Sequence, residues 1–381
     1  MRIALVYDAT YPYVKGGGER RYYEVGRRLA QQHDVSLVSF GWWGSQAPVE
    51  SGSNLRYVSV GAPRDLYRND GTRSATEPVW FGAKVLPTLL RHSFDVIDCC
   101  AFPYFSVLAA RTVAAMRRSA LVVTWLEHWG GYWFDYWGWK GVFGQVVELA
   151  ALAASPRAIA ISEFTRARLL HGPFKRSPST VSVVPNGIDF AKINAIDSDV
   201  KEFDVIFVGR LMPHKRVDLL LRALANLQVS GLSLRCRIIG DGPERIRLES
   251  LAAKLAIGNS TEFTGFMPEH EMLRALKAAR VLVLPSEREG LGNIVLEANA
   301  CGVPVVVVRT PESASSEIVH DGVTGRLCDL SDSAVAAAIA EILESRSRFR
   351  PEDCMSHART FDWDDVAVRV LEVYDTAAAN R

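Results

Sequence analysis

The sequence predicts an α/β protein of two domains, each built on an open parallel sheet. The chain has 381 residues, which is long for one ordinary domain and suits two of roughly 180. Short apolar runs, such as 3–7, 205–208 and 281–284, alternate with longer helical segments along both halves of the chain. Parallel strands need a crossover connection, usually a helix, so this alternation is typical of open parallel sheets.

The overall charge argues against a nucleic-acid-binding protein. Lysine and arginine together number 44, and aspartate and glutamate 43, so the formal net charge is +1. A nucleic-acid-binding protein would show a large basic excess. We therefore expect no nucleic-acid partner, and any site for an anion must be built from a few local residues.

Cysteine usage and hydropathy predict a cytoplasmic protein. The six cysteines show no metal-ligand spacing, and the neighbours Cys99 and Cys100 have poor geometry for a disulfide. The start of the chain, residues 1–8, has the pattern of a strand and not of a signal peptide. No apolar run reaches the ~18 residues that a membrane span needs. We expect no metal site, and a peripheral contact with the inner membrane surface stays open.

In the first half, apolar runs of about five residues predict strands by their length and β-branched content. The segments between them predict helices, and Ser162 is placed to cap one of them. Residues 61–78 predict a polar loop. The predicted strands are 3–7, 35–40, 55–60, 95–99, 121–125, 158–161 and 181–184. The first predicted helix ends near residue 31, and the others span about 79–91, 105–117, 142–154 and 162–170.

A run of glycines joins the first predicted strand to the first helix. Gly16, Gly17 and Gly18 stand where many α/β folds cradle a phosphate or a sugar, although a plain turn explains them equally well. The G-x-G-x-x-G fingerprint of dinucleotide-binding proteins is absent.

Residues 125–139 have the most unusual composition in the chain, with five of the nine tryptophans. Trp129, Trp133 and Trp137 recur at every fourth position, as on one side of a helix, but Gly138 and the pair Gly130-Gly131 disfavour one unbroken helix. Three interpretations stay open: core filling, a platform on which an acceptor sugar stacks, and an aromatic belt at a membrane interface.

The second half repeats the strand–helix alternation. After the strand 205–208, Arg210 and Lys215 lie in a loop at the carboxyl end of the strand, which is where open α/β sheets bind ligands. Two cations beside a helix N-terminus suit a diphosphate. The other predicted strands are 236–240, 262–264, 281–284 and 305–308, and the predicted helices end near 227 or span 292–300, 334–344 and 363–378.

Two carboxylates, Glu289 and Glu297, stand eight positions apart around the start of the predicted helix 292–300. At 1.5 Å per residue, eight helical positions separate them by roughly 12 Å, about the span of a diphosphate between a sugar and a ribose. The backbone N–H groups of Gly290, Leu291, Gly292 and Asn293 would form an anion site at the helix N-terminus. The alternative is that both carboxylates are solvated charges on a helix face.

The stretch from Glu289 to Glu297, EGLGNIVLE, followed by ACGVPVV, resembles the Glu–seven–Glu motif of the family 4 retaining glycosyltransferases. The resemblance implies a GT-B fold, with two Rossmann-like domains facing across a cleft and a final helix that crosses back to the first domain. It also implies a metal-independent, retaining transfer that needs no cofactor. The implied domains are 1–190 on the acceptor side, 200–360 on the donor side, and the helical segment 361–381; a linker at about 186–202 joins the first two.

The resemblance assigns roles on the donor side. Glu289 positions the donor sugar and is a candidate catalytic residue, and Glu297 binds the ribose. Arg210, Lys215 and the helix start at 290–293 bind the diphosphate. Phe266 and Met267 border the nucleobase, and Gly16, Gly17 and Gly18 lie against the donor. The implied partner is a UDP- or GDP-sugar.

On the acceptor side, the resemblance implies a catalytic histidine shortly after the strand 121–125. Relatives carry a pattern like Thr-Trp-His-Glu, whereas this chain has Thr124 and Trp125 followed by Leu126, with His128 two positions later. His128 is the candidate, with a structural role as its alternative. Trp129, Trp133 and Trp137 are the candidates for binding a sugar, a lipid-linked or a small-molecule acceptor.

Two other functions compete with sugar transfer. A GT-B epimerase or hydrolase would use the donor site alone and would turn over the donor without an acceptor. A non-catalytic nucleotide-sugar-binding protein would be expected to have lost some of the diphosphate-binding groups. A Rossmann dehydrogenase is a weaker candidate, because the dinucleotide fingerprint is missing.

Overall fold

The chain divides into two compact units in a computed structural model. One unit contains Met1–Asn186 and Trp363–Arg381, and the other contains Gly187–Asp362. Residues 67–72 of the predicted polar loop and residues 198–200 of the predicted linker lie outside the described part of the chain. The structure describes residues 1–44, 54–66, 73–197, 201–345 and 347–380.

The first unit contains a seven-stranded sheet in the order β3-β2-β1-β4-β5-β6-β7, with every pair of neighbouring strands parallel. Its strands are β1 (Arg2–Val6), β2 (Asp34–Ser39), β3 (Arg56–Ser59), β4 (Val96–Cys100), β5 (Ala120–Trp125), β6 (Arg157–Ala160) and β7 (Val181–Val183). Its first six helices are α1 (Gly17–Leu29), α2 (Glu77–Leu90), α3 (Tyr104–Arg117), α4 (Tyr132–Trp137), α5 (Gly141–Ala153) and α6 (Glu163–Leu170).

Both faces of this sheet are buried. In β1, Ile3 and Leu5 belong to one buried apolar cluster, while Ala4 and Val6 belong to the other. Successive side chains of a strand point to opposite faces, so a strand covered on both sides is apolar at every position. This explains why the strands of the first half are continuous apolar runs in the sequence.

The second unit contains a six-stranded parallel sheet in the order β10-β9-β8-β11-β12-β13. Its strands are β8 (Phe203–Val208), β9 (Cys236–Ile239), β10 (Thr261–Gly265), β11 (Ala279–Leu284), β12 (Val305–Val308) and β13 (Gly325–Cys328). Its helices are α7 (Phe190–Asn194), α8 (Val217–Val229), α9 (Arg245–Lys254), α10 (Glu269–Lys277), α11 (Asn293–Ala300), α12 (Asp332–Glu344) and α13 (Pro351–Arg359).

The last helix, α14 (Trp363–Ala379), belongs to the first unit, where it packs beside α1 and against β4 and β5. Trp363 and Tyr374 are fully buried in the cluster that contains Ile3 and Leu5. The Tyr374 hydroxyl donates to Asp98, which also accepts from Tyr22 at 3.0 Å. The predicted α/β fold, with two Rossmann-like parallel-sheet domains and a final helix that returns to the first, is confirmed.

The structure adds helices that the sequence interpretation did not contain. The short helix α7 lies inside the predicted linker, where the Asp189 carboxylate accepts from the Lys192 backbone N–H at 3.0 Å and caps it. Helices α10 and α13 are amphipathic, with many exposed charges between their few buried residues, so no apolar run marked them. Within the described residues, the longest apolar helices fall short of what a membrane crossing requires.

Candidate functional site

The second sheet places the predicted diphosphate residues at its topological switch point. The chain leaves β8 toward β9 and β10 on one side, and later returns to β11 on the other side of β8. The loops that follow β8 and β11 therefore diverge, and open α/β sheets bind ligands in the crevice between such loops. Arg210 and Lys215 follow β8, and Glu289 follows β11.

The loop that carries Arg210 packs directly against the backbone of the loop that follows β9. The Gly209 N–H donates to the Ile239 carbonyl at 3.0 Å, and the Leu211 N–H donates to the Asp241 carbonyl at 2.9 Å. Gly240 has φ +133°, and a Cβ there would collide with the carbonyl oxygen of Gly209. Only glycine fits this position, and its absent side chain lets the loops after β8 and β9 lie side by side.

Lys215 and Glu289 form an ion pair across the switch point. The Lys215 ammonium donates to Glu289 Oε1, and the two side chains are 18% and 13% exposed. The Glu287 N–H donates to the His214 carbonyl at 2.8 Å and ties the same two loops together. A group assigned to the diphosphate and a group assigned to the donor sugar therefore contact each other directly.

The pKa of His214 reflects the charges that surround it in this site. Burial, and then the neighbouring Lys215 charge, lower the pKa of His214 to about 4, while Glu289 acts in the opposite direction. The positive charges of Arg288 and Arg210 lower it further. Three cations and one carboxylate thus act on a neutral imidazole, so the site carries excess positive charge and suits an anion.

Helix α11 begins one residue later than predicted, at Asn293. Gly292 precedes it in the left-handed conformation, with φ +85°, which favours glycine. The segment from Glu289 to Gly292 is not helical, so the 12 Å estimate, which assumed eight helical positions, does not hold. Glu297 lies in the second turn of α11 and is partly exposed.

The two residues predicted to border the nucleobase lie at the same edge of the sheet. Phe266 is 74% exposed and Met267 is half-buried, directly after the carboxyl end of β10. Sequence reasoning missed His214 and Arg288; the latter is only 8% exposed. An arginine between two glutamates at the end of a buried strand was the available signal for Arg288.

The predicted glycine cradle lies in the first unit at the start of α1, where it holds the protein's own carboxylate. A Cβ on Gly16 would collide with the Glu19 carboxylate, and Gly18 lies against Tyr7 and Leu126. Burial raises the pKa of Glu19 to about 7. An anion at this loop therefore requires that Glu19 move or take up a proton.

A second acidic group lies beside the end of β1. The Arg73 guanidinium pairs with Asp8 and lies 3.4 Å from Glu77 Oε2. Burial raises the pKa of Asp8, and it raises the pKa of Glu77 to about 8. Among the described residues, Asp8 Oδ1 and Glu77 Oε1 accept no hydrogen bond. Sequence reasoning missed this cluster, because Asp8 lies 65 positions before Arg73 in the chain.

His128 lies in a buried loop that the fully buried Glu148 holds. The carboxylate of Glu148 accepts from the backbone N–H groups of Trp129 at 2.7 Å and Gly130 at 2.8 Å, and from the Tyr104 hydroxyl at 2.8 Å. The His128 side chain is buried, with no hydrogen-bond partner for Nε2 within the described structure. Burial lowers the pKa of His128, so its imidazole is neutral at pH 7.

The tryptophan segment divides between core and cavity. Trp125 and Trp133 are buried in the core, and Trp129 and Trp137 are partly buried against it, whereas Trp139 is 73% exposed. Gly138, with φ +56°, separates α4 from α5, as the sequence predicted. The core interpretation therefore describes part of the segment, and Trp129, Trp133 and Trp137 also line a cavity of about 190 Å³.

Two Rossmann-like sheets, with a cationic site at the switch point of the second, define a GT-B type of protein. Family models of Glycosyltransferase Family 4 and Glycosyl transferases group 1 match residues 15–192 and 189–360. The chain is 32% identical to the D-inositol 3-phosphate glycosyltransferase of Frankia alni over 370 residues, which cover 87% of this chain and 86% of that protein. The chain belongs to this family of glycosyltransferases.

Other relatives and solved structures extend the comparison. The chain spans only 51% to 57% of the length of three other D-inositol 3-phosphate glycosyltransferases that it matches. Sucrose-phosphate synthase from Thermosynechococcus elongatus matches with a TM-score of 0.80 at 20% identity, over 100% of both chains. HepE from Anabaena, in complex with UDP-glucose, matches with a TM-score of 0.75 at 19% identity, over 99% of this chain and 100% of that one. At such identity the structures show likeness of fold alone.

Proposed function

We propose that the protein is a retaining, metal-independent glycosyltransferase that moves a sugar from a nucleotide diphosphate sugar to an acceptor hydroxyl. The observation that carries the proposal is the switch-point site, where the Lys215 ammonium pairs with Glu289 and the positive charges of Lys215, Arg288 and Arg210 all act on His214. A diphosphate supplies the negative charge that this site lacks. Because the fold neighbour HepE is in complex with UDP-glucose, UDP-glucose is the first donor to test.

In the proposed reaction, the protein stabilises the leaving diphosphate. Negative charge grows on the phosphate oxygen as the bond to the sugar breaks, so cations held in place beforehand lower the barrier. Arg210 and Lys215 supply this charge, together with the N–H groups at the start of α11. The ion pair with Glu289 holds the Lys215 ammonium in position. Glu289 also accepts hydrogen bonds from hydroxyls of the donor sugar.

Retention follows if the acceptor attacks from the face that the diphosphate leaves. The leaving phosphate oxygen then accepts the proton of the acceptor hydroxyl, so the pair of carboxylates that a glycosidase uses is not required. Glu297 binds the ribose, Phe266 and Met267 cover the base, and Gly16 to Gly18 approach the donor. His128, neutral and buried, contacts the reacting sugar, and Trp129, Trp133 and Trp137 contact the acceptor.

The decisive test measures donor binding before the acceptor is known. UDP-, GDP- and ADP-sugars are screened for a rise in melting temperature in the presence of EDTA, since a ligand at 100 times its Kd stabilises the folded state by about 2.7 kcal/mol. We expect one nucleotide diphosphate sugar to raise the melting temperature, and the product of the later transfer assay to keep the anomeric configuration of the donor.

Two results would count against the proposal. If no nucleotide diphosphate sugar stabilises the protein, the switch-point site is not a donor site. If the donor turns over rapidly without any acceptor, an epimerase or hydrolase replaces the transferase.

A further inference from the structure

The first unit contains an aromatic cavity of about 190 Å³ between α2, α3 and the segment from Trp129 to Val147. Phe102, Trp129, Trp133 and Trp137 form much of its wall, and Val147 contributes to the wall from α5. An engineered cavity of about 150 Å³ lined by apolar side chains stays dry and binds benzene. This cavity therefore has room for an aryl ring or a short stretch of alkyl chain.

The two tyrosine hydroxyls in the wall have partners elsewhere, and only the indole Nε1 of Trp133 is a wall donor that is buried without an acceptor among the described tryptophan and tyrosine side chains of the lining. The Tyr104 hydroxyl donates to Glu148 at 2.8 Å, and the Tyr136 hydroxyl accepts the Arg73 backbone N–H at 2.8 Å. The Arg73 guanidinium lies over the Phe102 ring, 5.1 Å from its centroid. A sugar inside the cavity would bury hydroxyls without enough partners, at a cost of about 1–3 kcal/mol for each unsatisfied group. An apolar group carries no such cost.

The cavity is continuous with apolar surface at its rim. Val79 of α2 and Phe143 of α5 line it and are still 48% and 65% exposed. Beside Phe143 on α5, Val142 and Val146 are 40% and 59% exposed. An apolar chain longer than the cavity can therefore continue over α5 toward solvent. Clustered exposed apolar side chains of this kind mark binding surfaces in soluble proteins.

A buried cluster of ionisable groups lies one side chain away from the cavity. Arg73 lines the cavity and also pairs with Asp8 and Glu77, whose Oδ1 and Oε1 atoms accept no hydrogen bond among the described residues. Both carboxyl groups are buried, so a hydroxylated head would reach this cluster through Arg73, whose side chain is 11% exposed. Apolar and polar sites thus adjoin, which is the arrangement that a ligand with one apolar and one hydroxylated end requires.

We propose that the aromatic cavity binds the apolar end of an amphiphilic acceptor, whose hydroxylated head lies outside it near Arg73. The inference rests on the proposed transferase function and names the class of acceptor. The apolar end is the alkyl chain of a lipid-linked sugar or the aryl group of a glycoside. Both bring the same chemistry to the cavity, so the test separates them.

The test is calorimetric binding of butyl, hexyl and octyl β-glucosides below their micelle concentrations, with phenyl β-glucoside and glucose for comparison. Each methylene that enters the cavity should tighten binding about fourfold until the cavity is full. Glucose should not bind measurably. A phenyl glucoside that binds more tightly than the hexyl compound would identify an aryl acceptor, and the reverse order would identify an alkyl chain.

Two variants on one helix locate the site. Val147→Trp fills the cavity and should weaken octyl glucoside binding at least tenfold. Ala153→Trp, at an exposed position near the end of the same helix, adds the same indole away from the cavity and its apolar rim and should leave binding within twofold. Circular dichroism checks the fold of each variant; if V147W is misfolded, A75W fills the cavity from the α2 side instead.

UDP affinity, measured on the same variants, distinguishes a failure of this inference from a failure of the proposed function. Loss of octyl glucoside binding in V147W with unchanged UDP affinity supports the inference. Absence of any dependence on chain length in the wild-type protein, or equal weakening by A153W and V147W, overturns it even if UDP binds and sugar transfer is found. Failure of every nucleotide sugar to bind, with the glucoside series intact, refutes the transferase proposal instead.

Discussion

At the scale of single residues, the switch-point cations allow the most direct test of the donor site. Arg210→Ala and Lys215→Ala should each weaken UDP binding about ten- to hundredfold, because a hydrogen bond to a charged group contributes roughly 1.5–3 kcal/mol. Titration calorimetry of UDP measures the effect. Arg222→Ala, on the exposed side of α8, is the matched control and should leave the Kd unchanged. Unaltered affinity in both R210A and K215A would exclude a diphosphate from this site.

Glu297 tests the ribose end of the same site. Glu297→Gln keeps the shape of the side chain and removes its charge, so UDP affinity should fall about tenfold while the melting temperature stays the same. The 2′,3′-dideoxy analogue of UDP should bind the wild-type protein and E297Q with equal affinity, because it lacks the ribose hydroxyls that donate hydrogen bonds to Glu297. Glu271→Gln, on the exposed face of α10, controls for the loss of one negative charge. If E297Q weakens the dideoxy analogue as much as UDP, Glu297 does not bind the ribose.

His214 makes the stability of the second unit depend on pH. Its pKa is about 4 in the folded protein and near 6.5 in the unfolded chain, so the unfolded state binds more protons between these values. The free energy of unfolding should therefore fall as pH falls from about 6.5 to about 4. His214→Asn should remove this dependence in urea titrations, whereas His270→Asn, at an exposed position, should retain it.

Nucleotide binding should reverse part of this shift. A diphosphate beside His214 favours the imidazolium, so UDP binding at pH 5.5 should be accompanied by proton uptake. Calorimetry in two buffers of different ionisation enthalpy measures it. Equal apparent enthalpies in the two buffers would place the diphosphate away from His214.

At the scale of secondary-structure elements, Glu148 joins α5 to the loop that carries His128. Glu148→Ala leaves three buried donors without an acceptor and should cost at least ~3 kcal/mol of unfolding free energy. Glu148→Gln keeps one carbonyl oxygen and should cost less. Glu148→Gln should also lower the pKa of His128 further in an NMR titration, because the Glu148 charge that favours the imidazolium in the wild-type protein is lost.

Val146→Ala provides the baseline for α5, since Val146 is exposed and its truncation should cost little. If E148A is as stable as V146A, Glu148 does not hold the loop. If E148Q leaves the pKa of His128 where it is, the two side chains are electrostatically independent.

The sequence predicted elements well where burial alone determines them. The β11–α11–β12 unit is confirmed to within two residues, since β11 begins at Ala279 and not at 281. The agreement is this close because buried parallel strands are apolar at every position and glycines lie in the loops between the elements. The cap of α6 is confirmed too, since the Ser162 hydroxyl accepts the Thr165 N–H. Helices α10 and α13 were missed, because their many exposed charges conceal a narrow buried stripe.

Predictions of the site reached only as far as local motifs. Arg210, Lys215 and Glu289 come together because each follows a strand at the switch point, which strand order in a parallel sheet makes foreseeable. The Asp8, Arg73 and Glu77 cluster joins residues that share no motif, and neither spacing nor composition indicates it. The Glu19 carboxylate beneath the glycine loop was likewise invisible, because glutamate at the third position of a helix is ordinary.

At the scale of the whole molecule, strand order accounts for the two units. The sheet orders β3-β2-β1-β4-β5-β6-β7 and β10-β9-β8-β11-β12-β13 each begin near the middle and grow in two directions, so each unit has its own switch point and its own candidate site. The chain completes the first unit only with its last helix. The folding of the first unit therefore depends on residues that follow the entire second unit in sequence.

Removal of α14 tests this dependence. A stop codon after Asp362 removes Trp363, Val366, Val370 and Tyr374, all of which are buried in the core of the first unit. Each such side chain contributes about 1.5–3 kcal/mol by its burial, so their loss approaches the 5–15 kcal/mol that stabilises a typical domain. The loss also deprives Asp98 of the Tyr374 hydroxyl.

The truncated chain should therefore lose the near-ultraviolet circular dichroism of the tryptophan-rich first unit and its binding of octyl glucoside. It should keep UDP binding, because the switch-point residues belong to the unit that spans 187–362. Tyr374→Phe in the full-length chain removes one hydrogen bond alone and should cost only about 1–3 kcal/mol. If the truncated chain unfolds in one transition at the same urea concentration as the full-length protein, α14 is not part of the cooperative core. If UDP binding disappears together with the aromatic signal, the two units do not fold independently.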